Sequence, residues 1–174
     1  MRISYTRQGE DDAPVTRVVE PLSILFSEYY FYLNAYIVEE TANGRYEHKY
    51  DYPAIFRVDR IDTYEILDNR FSLPYANRFQ EGEFRKRVQF MYPGKLEKVR
   101  FKYTGKSIEA VMDRLPTATL ISQNEQGYVI EAEVYGKGIM MWLLSQGPHV
   151  ELLGPPHVRQ ELKDLLSEVM KLYE

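Results

Sequence analysis

The sequence predicts an α+β protein of two lobes. A small all-β lobe comes first, and a βαββαβ lobe with one further helix at its end follows. Three observations carry this prediction. Over the first ~70 residues, short runs alternate apolar and polar side chains and are separated by turn signals, as in small barrels and sandwiches. From Asp68 to Gly94 that rhythm is broken by Asn69, Pro74, Asn77, Gly82 and Pro93, all residues that interrupt regular structure. Beyond this stretch strand and helix patterns interleave. They finish on Pro156 to Tyr173, where Val158, Leu162, Leu165, Val169 and Leu172 recur at helical spacing and predict one buried stripe. The predicted divisions are 1–70 for the β lobe, 71–95 for the connection and 96–174 for the second lobe.

In the β lobe, Arg2 to Thr6 alternates and meets the polar turn Gln8-Gly9-Glu10-Asp11-Asp12. Val15 to Val19 resumes the pattern, with Pro21 marking a bend or an edge position. Leu22 to Phe26 and Tyr29 to Val38 predict a hairpin across Ser27-Glu28, and Thr41-Ala42-Asn43-Gly44 supplies the next turn. Tyr52 to Ile61 and Thr63 to Leu67 complete about six strands. In the connection only Glu83 to Phe90 has the makings of a short helix. In the second lobe the expected order is strand Lys98 to Tyr103, helix Ser107 to Arg114, hairpin Thr117 to Ser122 with Gly127 to Tyr135, helix Gly138 to Ser145, strand Val150 to Leu153 and the final helix. Pro116 and Gly147 serve as stop signals. This order is the split βαβ, ferredoxin-like pattern.

Composition narrows the function. The chain is 44% hydrophobic and 28% charged, enough apolar material for a core and too much for disorder. Its net charge of -4 argues against a whole-chain grip on duplex phosphates, which favours basic surfaces, and leaves room only for a local basic site. With no cysteine, disulfides, thiolate metal sites and thiol nucleophiles are excluded. That also fits a reducing, cytoplasmic setting. No apolar run approaches the roughly 20 residues a membrane-spanning helix needs, so no membrane partner is expected.

The best candidate site is the aromatic run Tyr29 to Tyr36 together with Phe56-Arg57-Val58-Asp59-Arg60-Ile61. Side chains alternate across a strand, which sets Phe31 and Leu33 on one face as core and Tyr30, Tyr32 and Asn34 on the other. Aromatic faces can stack on bases, and a planar guanidinium matches phosphate or carboxylate oxygens in pairs. The expected site is therefore Tyr30, Tyr32 and Asn34 for stacking or polar contact, Arg57 and Arg60 for an anionic group, and Asp59 as positioner. On a continuous strand Arg57 and Asp59 would share a face and Arg60 would point away. The plainer readings are sheet packing for the tyrosines and a cross-strand salt bridge for the charges.

Other features carry less. Arg85-Lys86-Arg87, with Arg78 nearby, is diluted by Glu81 and Glu83 and reads as a solvated face. The three histidines lie scattered, with His48 in a turn-rich stretch, and none has a partner at ligand spacing, so neither a metal nor another cofactor is expected. Glu39-Glu40 and Asp11-Asp12 read as strand-end residues. No nucleotide-loop or nucleophile-elbow motif is present, and no catalytic residue is assigned.

These residues resemble the WYL domain. Phe31-Tyr32-Leu33 is similar to its Trp-Tyr-Leu signature, Val18-Val19-Glu20-Pro21-Leu22 to its lead-in strand, and Phe56-Arg57-Val58-Asp59-Arg60-Ile61 to its closing segment. Trp142-Leu143-Leu144-Ser145-Gln146-Gly147 and the last helix resemble the extension that follows WYL domains in bacterial transcription regulators. The resemblance implies a small Sm/SH3-like β-barrel followed by a ferredoxin-like extension. It implies an effector-sensing role for a nucleotide or single-stranded nucleic acid, a homodimer, and promoter DNA bound only through an N-terminal helix-turn-helix outside this sequence. The chain is accordingly expected to be a fragment of a longer regulator. Phe31 replaces the family's tryptophan, Ala54 stands where an arginine is common, and Ile37, Val38 and Glu39 stand where many members have a histidine. A module that only dimerises, without a small ligand, is the alternative.

Overall fold

A computed structural model of the chain describes residues 1–6, 13–73 and 79–174. The turn predicted at Gln8 to Asp12, and Pro74, Asn77 and Arg78, lie outside the described residues. The fold is α+β, with two antiparallel sheets and four α-helices among the described residues. The chain divides into two compact units, residues Met1–Phe84 with Pro93–Lys95, and Arg85–Tyr92 with Leu96–Glu174.

The first unit contains β1 (Arg2–Thr6), β2 (Pro14–Ser27), β3 (Tyr30–Glu40), β4 (Tyr46–His48), β5 (Ala54–Arg57) and β6 (Ile61–Glu65). The sheet runs in the order β4-β3-β2-β1-β6, and β5 also pairs with β3. One edge of β3 is covered by β2, while its other edge is shared by β4 at Val38 to Glu40 and by β5 at Tyr32 to Ala35. Among the described residues no ladder joins β4 to β6, so the expected closed barrel is not seen.

Two of the expected strands are one. Pro21 pairs with Ala35, and the register shifts between Pro21 and Ser23, so β2 passes through its proline on a bulge rather than breaking there. The hairpin turn lies one residue later than expected, at Glu28-Tyr29, with Glu28 at a φ of 56°. The strand expected over Tyr52 to Ile61 is instead interrupted. β5 ends at Arg57, and Val58–Arg60 forms a 3-10 turn closed by the Ile61 N–H donating to the Val58 carbonyl.

Ile3, Val19, Leu33, Ala35 and Phe56 form the core of this unit, with Tyr5, Ile37, Ala54 and Ile61 packed around it. Phe31 does not join Leu33 there. It pairs with Phe26 one step from the hairpin turn, packs on that ring at 5.2 Å and remains 57% exposed. The buried Phe56 lies across from Leu33, and β5 ends one residue further on, opposite Tyr32, so nothing from β5 stands across from Phe31.

α1 (Glu81–Arg87) spans the change from the first unit to the second. It starts two residues before the expected helix and stops three short of it. Phe90 and Met91 both adopt positive φ, which ends any helical continuation.

The second unit contains β7 (Leu96–Tyr103), α2 (Ile108–Arg114), β8 (Thr119–Asn124), β9 (Gly127–Tyr135), α3 (Gly138–Ser145), β10 (Val150–Gly154) and α4 (Pro156–Lys171). Its sheet order is β10-β7-β9-β8. Alternation along β7 buries Val99, Phe101 and Tyr103 and turns Lys98, Arg100 and Lys102 to the other side. Arg100 and Lys98 pair there with Glu131. Ser107 lies just outside α2 as its N-cap, where its hydroxyl accepts from the Ala110 N–H. Gly138 opens α3 with its Cα against the Gln89 backbone, where a Cβ would meet the Gln89 oxygen at 2.0 Å. The Trp142 ring meets Phe101 edge-on at 5.5 Å in the buried core.

The predicted stripe of α4 is only partly buried. Val158 is buried and Leu162 packs against the core, but Val169 and Leu172 are exposed, Leu172 at 81%. Helical spacing puts apolar residues on one face; it does not supply a surface long enough to cover that face.

Candidate functional site: an arginine and tyrosine face

In register, Tyr32 pairs with Arg57, so both side chains leave the same face of the sheet. Tyr30 precedes Tyr32 by two residues and lies on that face too. The Arg57 guanidinium carbon sits 3.5 Å from the Tyr30 ring centroid, a cation–π contact. Its Nε donates to Asp59 Oδ1 at 3.0 Å and its Nη2 to Asp59 Oδ2 at 2.5 Å. The 3-10 turn makes this possible, because it folds Asp59 back toward the end of β5 instead of carrying it onward along a strand.

The hydrogen bonds from Arg57 hold the Asp59 carboxyl below the usual carboxylate range, helped by the nearby charges of Arg57 and Arg60. The same hydrogen bonding, together with attraction to Asp59, raises the Arg57 guanidinium above its ordinary value. Arg57 is thus a fixed, permanently charged donor. Its side chain is 21% exposed, against 50% for Asp59. Asp59 engages only Nε and Nη2, so the Nη1 edge of the planar group has no hydrogen-bond partner among the described residues. Arg60 is exposed in the same turn and forms no ion pair among the described residues. A guanidinium held beside a tyrosine ring, with a second arginine in the same turn, can hold a planar anion or a phosphate next to a stacked ring.

Asn34 differs from the other expected site residues. Its side chain is fully buried, its Nδ2 donates to Ser23 Oγ at 3.2 Å, and its Oδ1 has no partner. It lies on the Tyr30 and Tyr32 face by alternation, across β3 from Ile55 and Ser23.

Further along the same face is a cluster that the sequence reading did not single out. Tyr36 stacks on His48 with ring centroids 4.1 Å apart and planes 9° from parallel. The His48 Nε2 lies 2.8 Å from Glu20 Oε2. β3 brings these together, since Glu20 pairs with Tyr36 and His48 with Val38. The signal that could have found them is the Tyr46-x-His48 alternation, which marks a strand inside the stretch read as turn.

The basic run is structural at one of its members, since the Arg87 Nε and Nη2 donate to Glu133 Oε2 at 3.2 and 3.1 Å. Among the described residues no group of three or more His, Asp or Glu side chains could hold a metal ion. Among the described residues no helix is long and apolar enough to cross a membrane.

Residues 1–66 match the WYL domain and residues 95–170 match the WCX domain. The chain is a WYL domain followed by a WCX domain. A solved structure described as a CRISPR Cas-related protein is similar in fold, with a TM-score of 0.55 at 17% identity over 99% of this chain and 47% of that one. Proteasome accessory factor B/C (PafBC) of Arthrobacter aurescens aligns with a TM-score of 0.34 at 16% identity, over 92% of this chain and 23% of that one. The chain thus spans less than half the length of either. No curated protein matches it.

Proposed function

We propose that this chain is the effector-sensing portion of a bacterial transcription regulator, with a nucleotide or single-stranded nucleic acid as the effector. The observation that carries the proposal is the Arg57 guanidinium held between the Tyr30 ring and the Asp59 carboxylate with one edge open. A side chain fixed in this way loses little freedom when it meets a phosphate, so more of the contact energy appears as affinity. Arg60 adds a second charge, and Tyr30 and Tyr32 add stacking surface, while the fully buried Asn34 lies beneath that face.

In this reading the protein is cytoplasmic and not an enzyme. It acts as a homodimer and reaches promoter DNA through an N-terminal helix-turn-helix outside this sequence. The division at 1–70, 71–95 and 96–174 gives a sensing lobe, a connection and an extension. We assign the first lobe to the Sm/SH3-like class, supported by the long bulged β2 that pairs with both β1 and β3. We assign the second to the ferredoxin-like class, supported by the sheet order β10-β7-β9-β8.

A thermal-shift screen against nucleotides and short single-stranded oligonucleotides tests the reading. At least one ligand is expected to raise the unfolding midpoint, and added salt is expected to reduce that rise. A flat screen, with sedimentation showing a stable oligomer, would replace it with the second reading, an interaction module. Exposed Leu166, Met170, Leu172 and Tyr173 at the end of α4 are what favour that alternative.

A further inference from the structure

On the other side of β3 from Tyr32 lies a cavity of about 520 Å³, lined by Ser23, Ile24, Leu33, Val58, Ile61, Tyr64 and their neighbours Met1, Pro21 and Leu22. Its volume falls in the range of roughly 300–1,000 Å³ typical of small-molecule sites. Its walls are apolar. Ser23 and Tyr64 are the lining residues with polar side chains, and no Asp, Glu, Lys, Arg or His contributes. Ile24 and Tyr64 are 62% and 70% exposed on its rim, while Leu33 in its wall belongs to the buried core. The formal charge among its lining residues, the Met1 ammonium, is engaged by the Val19 carbonyl, so the lining favours uncharged, apolar ligands.

One feature ties this cavity to the arginine face, the 3-10 turn. Side chains three residues apart eclipse one another in a 3-10 helix. Val58 and Ile61 therefore both reach the cavity, while Asp59 between them turns to Arg57.

We propose that this cavity is a second ligand site, for an uncharged apolar small molecule, and that its occupancy is read by the Arg57–Asp59 clamp through the shared turn. A ligand that presses on Val58 moves a turn whose next residue holds the arginine. The two sites are then linked, and the linkage is reciprocal. The apolar site stands apart from the nucleotide reading above, because its test uses no nucleotide.

The test titrates the full chain with N-phenyl-1-naphthylamine, a neutral fluorophore that brightens in apolar surroundings, and follows the Arg57 Nε–H resonance at the same time. Saturable binding and a shifted Arg57 resonance are expected. Ile24→Lys and Val58→Asp should each weaken probe binding about tenfold or more by replacing apolar contact at the edge of the site with a charge. Both positions are substantially exposed, and an unchanged circular-dichroism melt would show that the variants remain folded. The proposal is overturned if the wild-type chain gives no saturable binding. It is also overturned if both variants bind as well as wild type, if the Arg57 resonance stays fixed at saturation, or if the probe only dissociates a dimer. The last result would give the face to a second copy of the chain.

Discussion

Arg57 donates to both carboxylate oxygens of Asp59 while its guanidinium carbon lies 3.5 Å from the Tyr30 ring centroid. The arginine is therefore oriented before any ligand arrives, and the consequences can be measured at each partner.

The first is a titration. Since Arg57 depresses the Asp59 carboxyl, the folded-state value lies below the unfolded one. The clamp's contribution is therefore fully present above about pH 4, the ordinary range of an aspartate, and is lost as pH falls through the lower folded value. Following the Asp59 carboxyl carbon by NMR should give a midpoint below the ordinary range. Arg57→Ala should move it back up, and an unmoved midpoint would mean that the hydrogen bonds do not persist in solution.

Asn34 and Leu33 are neighbours on β3 with different expected costs. Leu33 fills the core, and Leu33→Ala should lower stability by about 2–5 kcal/mol. Asn34 is buried with its Oδ1 unpartnered, so Asn34→Leu should change stability by no more than about 1 kcal/mol in either direction. Urea unfolding of both variants checks the contrast. A large loss in Asn34→Leu would show that the amide holds the fold together.

Gly138 has no room for a side chain, with the Gln89 oxygen 2.0 Å from where a Cβ would stand. Gly138→Ala should destabilise the second unit by about 1–3 kcal/mol, since backbone rather than a flexible side chain must yield. Trp142, the only tryptophan, is 5% exposed in that unit. Its emission should be blue-shifted in the native protein and should report the loss directly.

Much of the fold was legible because it depends on local chemistry. The Pro116 and Gly147 stop signals after α2 and α3 and the alternation of β7 each act within a few residues, although Ser107, expected as the first helical residue, is the cap just outside α2. The bulge at Pro21, the 3-10 turn at Val58 and the exposure of Phe31 depend instead on what pairs across the sheet. A proline reads as a bend whether or not a bulge lets the strand continue. The candidate site was legible as residue types. Its geometry was not, because a turn rather than a strand brings Asp59 onto Arg57. The Tyr36–His48–Glu20 cluster required knowing that β4 pairs with β3.

The central claim is that the Arg57 face binds an anionic effector. The most direct measurement is fluorescence anisotropy of a labelled single-stranded oligonucleotide at several salt concentrations, with wild type and the Arg57→Ala/Arg60→Ala variant. Wild-type binding is expected to weaken as salt rises, with a loss of about tenfold or more in the variant and a shallower salt dependence. Equal affinity of variant and wild type for oligonucleotides and nucleotides alike would contradict it.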